Sequence, residues 1–145
     1  MTSYTVVAEI AAEPATVFGA VADLPSHGRW SADPVTIERI DGDGGPGTRY
    51  RSTARSKGKE FTAELEVTER RAPDRFAFRV VDATGSWEHV FSLAAAGSGT
   101  RVERRITGTL SLPQAVLFYA VLPIVKRPSA RASLAKLKEQ LEAGA

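Results

Sequence analysis

A chain of 145 residues, 43% hydrophobic and 25% charged, with a formal net charge of +2, is long enough to bury a core, and one domain over residues 1–145 is expected. The absence of cysteine and asparagine excludes disulfides, thiolate nucleophiles, cysteine-bound metal and N-glycosylation. The charge is too small to imply nucleic acid. Met1–Glu9 lacks a secretory pattern, and the longest apolar run, Ala115–Val125, falls well short of the roughly 20 residues of a bilayer span. A cytoplasmic protein with no transmembrane segment is the expectation.

Thr5–Ala11 alternates and predicts a first strand, with Tyr4, Val6, Ala8 and Ile10 on one face. Glu13-Pro14 opens a short helix, because proline suits a first helical position. Val17, Phe18 and Val21 give it an apolar side, and Asp23-Leu24-Pro25 ends it. Ser26–Ser31, with Trp30, predicts a second helical turn. Val35–Ile40 is a short strand, and 42–47 is a glycine-rich turn. Thr48–Arg55 places Tyr50, Ser52 and Ala54 on one face; Glu60–Thr68 places Phe61, Ala63, Leu65 and Val67 there. Arg75–Val81 turns Phe76, Phe78 and Val80 inward. Ser86–Leu93 does so with Trp87, His89, Phe91 and Leu93, and Thr100–Leu110 with Val102, Ile106 and Gly108. This is half-buried antiparallel sheet.

Simple hairpin registers place Arg51 opposite Glu64, Arg55 opposite Glu60, Arg79 opposite Glu88, and Glu88 beside Arg105. The last third, Pro113–Ala143, predicts one long helix. Ala130, Leu134, Leu137 and Leu141 recur on one helical face, while Ala115–Val125 is apolar almost all round. Pro123 and Pro128 are candidate kinks. The order is strand, two short helices, six strands, long helix: an α+β domain whose curved antiparallel sheet holds the helix.

A curved sheet and a helix enclose space that side chains need not fill. The large inward side chains Trp30, Tyr50, Phe61, Phe78, Trp87 and Phe91, with Phe118, Tyr119, Val121 and Leu122 from the helix, are the candidate pocket lining. His89 and Arg104 are the candidate catalytic pair, since both fall on otherwise apolar inward faces. If Leu93 pairs with Thr100, His89 faces Arg104; a slip of two residues makes them diagonal neighbours. Beside a cation, His89 is expected to be neutral and suited to acid–base work or hydrogen bonding. Tyr50, Ser52 and Tyr119 could add hydroxyls.

Other patterns carry less. Residues 42–47 fit G-x-G-x-x-G, but no helix follows and Pro46 removes an amide donor. His27 and His89 are far apart in sequence, so no metal site and no cofactor is expected. The basic run Arg49–Lys59 is offset by Glu60, Glu64 and Glu66, giving a solvated face rather than a nucleic-acid surface.

Several runs together resemble the START-like helix-grip superfamily (SRPBCC), in its polyketide cyclase/dehydrase and lipid-transport branch. They are Ile10–Phe18, Asp23 followed by Trp30, Gly45-Pro46-Gly47-Thr48, Gly99-Thr100-Arg101-Val102, and Leu134–Leu141. The resemblance implies a seven-stranded sheet wrapped around the C-terminal helix with a pocket between them, and it leaves the activity open. Three functions fit. The first is binding or transport of a small hydrophobic or aromatic ligand. The second is a cofactor-independent cyclase or aromatase using His89, with Arg104 or Tyr50 polarising a carbonyl. The third is an interaction module forming a homodimer through the apolar helix 115–125.

Overall fold

Alternating apolar and polar residues build most of this molecule. The computed structural model describes residues 2–32, 34–56, 58–83, 85–110 and 115–143, and their side chains except at 2, 56, 110 and 115–126. The strands are β1 (Thr2–Ile10), β2 (Val35–Asp41), β3 (Arg49–Ser56), β4 (Lys59–Arg71), β5 (Arg75–Asp82), β6 (Gly85–Ala96) and β7 (Gly99–Leu110). They form one curved antiparallel sheet in the order β1-β7-β6-β5-β4-β3-β2, so the first strand closes onto the last. Helix α1 (Pro14–Ala22) and a 3-10 helix (Leu24–Arg29) follow β1, and helix α2 (Ala115–Ala143) ends the fold. The expected α+β helix-grip architecture, with seven strands and two short helices after the first, is what the structure shows.

Local chemistry sets the boundaries. Pro14 stands at the start of α1 after an extended Glu13, where its missing amide costs nothing. Pro25 then falls in the first turn of the 3-10 helix. In β4 a bulge between Val67 and Glu69 shifts the register against β5. The bulge re-aims Arg70, which pairs with Phe76 and lays its guanidinium 5.7 Å from the Phe18 ring centre.

The core lies between the concave face and the helices. Phe76 and Phe91 from the sheet, Val17 and Val21 from α1, and Leu134 and Leu137 from α2 are essentially sealed from solvent. The expected helical stripe is present: Ala130, Leu134 and Leu137 are buried, and Leu141 packs at the margin. Three polar contacts fasten the same half of α2. Ser133 Oγ accepts from the Ala32 amide (2.9 Å), Gln140 Nε2 donates to the Arg29 carbonyl (2.5 Å), and Glu142 accepts from the Ala11 amide (2.8 Å). α2 continues through both Pro123 and Pro128 without a break in its assignment. The side chains of Phe118, Tyr119, Val121 and Leu122 lie outside the described residues.

Three expected charge pairings hold: Arg51 with Glu64, Arg55 with Glu60, and Arg79 with Glu88. The β6–β7 register differs. Leu93 pairs with Val102, not Thr100, and Ala96 pairs with Gly99. The cause is a tighter turn. Gly97 adopts a φ of 58°, which allows Gly97-Ser98 alone to connect the strands and lets both run on through Ala94–Ala96. Glu88 therefore faces Thr107 rather than lying beside Arg105, and His89 faces Ile106.

Trp87 and Gly108 are directly paired, and a Cβ added at Gly108 would collide with the Trp87 ring. Gly108→Ala is expected to cost about 1–3 kcal/mol through overpacking. In a Trp87→Leu background that cost should fall by about 1 kcal/mol or more in a denaturant-melt double-mutant cycle. Additive costs would show that the ring is not the obstacle.

Candidate functional site

A cavity of about 380 Å³ opens between the concave sheet, the 3-10 helix and α2. Its apolar wall includes Trp30, Val35, Ile37, Ala54, Leu65, Phe78 and Val80, and its polar wall His27, Ser31, Ser52, His89, Arg104 and Ser133. Strand alternation carries Phe78, His89 and Arg104 to it. The 3-10 helix supplies His27 and ends where Trp30 turns inward.

The hydrogen bonds fix the protonation pattern. Arg104 Nη2 lies 3.0 Å from His89 Nδ1. A guanidinium has only donors, so Nδ1 accepts and the His89 proton resides on Nε2. Burial, then Arg104, then His27 hold the His89 pKa well below its ordinary 6.5. His89 stacks on Phe78 with ring centres 4.8 Å apart. His27 Nε2 lies 2.7 Å from the Val21 carbonyl oxygen. Because a carbonyl only accepts, this nitrogen carries the His27 proton. Burial brings its pKa to about 3, against the partial opposition of the Val21 bond. Both imidazoles are therefore neutral at physiological pH.

Arg104 is the cation of this site. Burial lowers its pKa to about 10, which leaves it charged. Its guanidinium carbon lies 5.0 Å from the Phe91 ring centre and 6.0 Å from that of Trp30, close enough for cation–π attraction. Arg104 and His89 lie deep in the protein, yet neither is sealed: each is of intermediate exposure and lines the cavity. Tyr4, whose pKa burial raises, lies within electrostatic reach of both Arg104 and Arg127.

The structure brings together only some of the side chains that the sequence groups. Trp30, Phe78, His89 and Arg104 share the cavity, with His89 and Arg104 as diagonal neighbours because Phe91 is the residue opposite Arg104. Phe91 is fully buried behind the guanidinium as core. Trp87 covers Gly108 and does not line the cavity. Phe61 has the right parity but is 54% exposed; it pairs with Ala54 near the tip of the β3–β4 hairpin, beyond the packed core. Tyr50 is buried but lines a different depression, of about 420 Å³, with Asp23, Arg39 and Arg70. Its hydroxyl does not join His89. The pocket placements of Phe118, Tyr119 and Leu122 fall on side chains outside those described.

His27 is the site residue that sequence reasoning missed. Its ring sits 4.4 Å from that of Trp30 and 6.1 Å from that of Phe91. No periodicity marks a residue in a six-residue 3-10 helix, so its inward aim had no signal beyond its proximity to Trp30. Among the described residues, no three His, Asp or Glu side chains converge as a metal site requires, and no helix is long and apolar enough to cross a membrane.

A sheet gripping a helix over a lined cavity defines the Bet v1-like helix-grip class. The polyketide cyclase / dehydrase and lipid transport family model matches residues 1–142, and the chain belongs to that family. Among solved structures it is similar to TTHA0849 from Thermus thermophilus, with a TM-score of 0.81, 22% identity and 99% of each chain covered. It is similar also to Ara h 8.0201, with a TM-score of 0.75, 18% identity and 97% of each chain covered. The di-domain ARO/CYC StfQ of the steffimycin biosynthetic pathway aligns with a TM-score of 0.76 and 12% identity, over 99% of this chain and 52% of that one. No curated protein matches the sequence.

The two neutral histidines make stability depend on pH. The unfolded chain protonates both near 6.5, whereas folded His27 protonates only near 3 and folded His89 well below 6.5. Below pH 6.5 the unfolded state binds more protons, so stability falls as pH falls. His27 alone should cost about 2 kcal/mol between pH 7 and pH 5. Denaturant melts at both pH values should show this loss in the wild type. The loss should be smaller by about that amount in His27→Gln. Equal losses in the two proteins would contradict the assignment.

Proposed function

We propose that the protein binds a small hydrophobic or aromatic molecule in the cavity beneath α2 and acts as a carrier or binding protein. The family is associated with small hydrophobic ligands. The observation that carries the proposal is the state of the polar wall. Arg104 occupies the Nδ1 lone pair of His89, and the Val21 carbonyl engages His27 Nε2. The low pKa values of both imidazoles make them poor bases. What His89 offers a ligand is an N–H donor. Apolar walls with a few fixed donors are the ordinary chemistry of a binding pocket.

A cyclase is the second reading, favoured by the same donor: a neutral Nε2–H could protonate or orient a carbonyl oxygen while the cavity folds the chain. It requires that His89→Ala abolish cyclisation of a poly-β-keto thioester supplied to the protein.

Native mass spectrometry of freshly purified protein tests the binding proposal. A retained small molecule is expected in the wild type. Ala54→Phe, which fills the cavity from β3, should lower its occupancy at least about ten-fold without loss of the thermal melt. Full occupancy in a folded Ala54→Phe protein would place the ligand elsewhere and end the proposal.

A further inference from the structure

The cavity holds a charge without a counter-charge. Arg104 takes part in no ion pair among the described residues, and its hydrogen-bond partner there is a neutral imidazole. Tyr4, within electrostatic reach, supplies no counter-charge: burial raises its pKa from the ordinary 10, so its phenol stays neutral. Two ring faces offset part of the desolvation, but an unpaired cation at this depth remains costly. Among the described residues, Arg127 Nε is a buried N–H donor with no acceptor, and so, in addition, are Arg104 Nε and Trp30 Nε1. The latter two belong to cavity-lining side chains, with the guanidinium carbon 6.0 Å from the Trp30 ring centre. An unpaired guanidinium lining an apolar cavity suits an acceptor that carries negative charge.

We infer that the cavity selects ligands in which an apolar body carries a single carboxylate, held by Arg104. The inference rests on the cavity being the ligand site, as proposed above. One guanidinium beside neutral histidines matches one negative charge. The planar fork of arginine suits a carboxylate's two oxygens. The apolar remainder would lie against Ile37, Leu65, Phe78 and Val80. The pairing forms only in the complex, so the charge works as a selection device rather than as a source of stability in the free protein.

Titration calorimetry at pH 7 with 2-naphthoate and with near-isosteric, uncharged 2-naphthamide tests this in the wild-type protein. The carboxylate should bind at least about ten-fold more tightly, in line with charge-assisted hydrogen bonds. Arg104→Met should abolish the preference while leaving 2-naphthamide binding measurable. Arg104→Lys, which keeps the charge and loses the fork, should reduce naphthoate affinity a few-fold and spare the amide; it keeps the test alive if the methionine variant does not fold. Equal binding of the two probes to the wild type would overturn the carboxylate inference and leave the cavity as an apolar binding site. Binding of neither probe would overturn the inference and count against the binding proposal as well. A preference that survives in folded Arg104→Met, or is unchanged in Arg104→Lys, would also overturn it.

Discussion

The contact on which the site depends is the bond from Arg104 to His89. A guanidinium cannot accept a hydrogen bond, so this single contact fixes the His89 tautomer and opposes its protonation. It also ties two neighbouring strands through inward side chains set among mostly apolar neighbours. Phe91 and Trp30 occupy the remaining space around the cation. His27, tethered to the end of α1 through the Val21 carbonyl, keeps Trp30 in position by ring contact. The cavity is thus organised from one charged side chain outward, with each neighbour placed by a directional bond or a ring face.

A second constraint is mechanical. The C-terminal half of α2 is held by buried Leu134 and Leu137 and by polar contacts to the segments around Ala11, Arg29 and Ala32. Ser133 belongs to both systems. It accepts the Ala32 amide, donates to the Ser129 carbonyl and faces the cavity. Loop, helix and cavity wall therefore share one hydroxyl, and the distance from the 3-10 helix to α2 is set where the cavity begins.

Much of the fold was legible because strand alternation and helical spacing repeat over many residues. Tyr4, Val6 and Ile10, or Leu134 and Leu137, announce their faces without any knowledge of their partners. The errors came where one residue decides the geometry. The backbone at Gly97 shortened a turn and slid β6 against β7 by two residues, replacing His89 with Phe91 opposite Arg104. Parity shows which face a side chain takes but not how far along the sheet the core extends. Phe61 was therefore grouped with a cavity it does not reach, and Tyr50 with the wrong depression. His27 was invisible for a different reason: short 3-10 segments carry no repeat, and its partner is a backbone carbonyl that any sequence would provide.

The place of β1 in the sheet has a consequence for assembly. Of the seven strands it is the first to be synthesised, yet its partner is the last of them, with Ile10 paired to Thr100 and Thr2 to Gly108. Every other strand has a partner adjacent in sequence. A growing chain can therefore build the β2–β7 meander hairpin by hairpin, while Tyr4, Val6 and Ile10 wait with no partner strand and their apolar row uncovered. Sheet closure needs the most distant contact in the strand network, the kind whose chain entropy must be lost before any bond rewards it. The edge that completes this fold is also the one the nascent chain must carry longest unfinished.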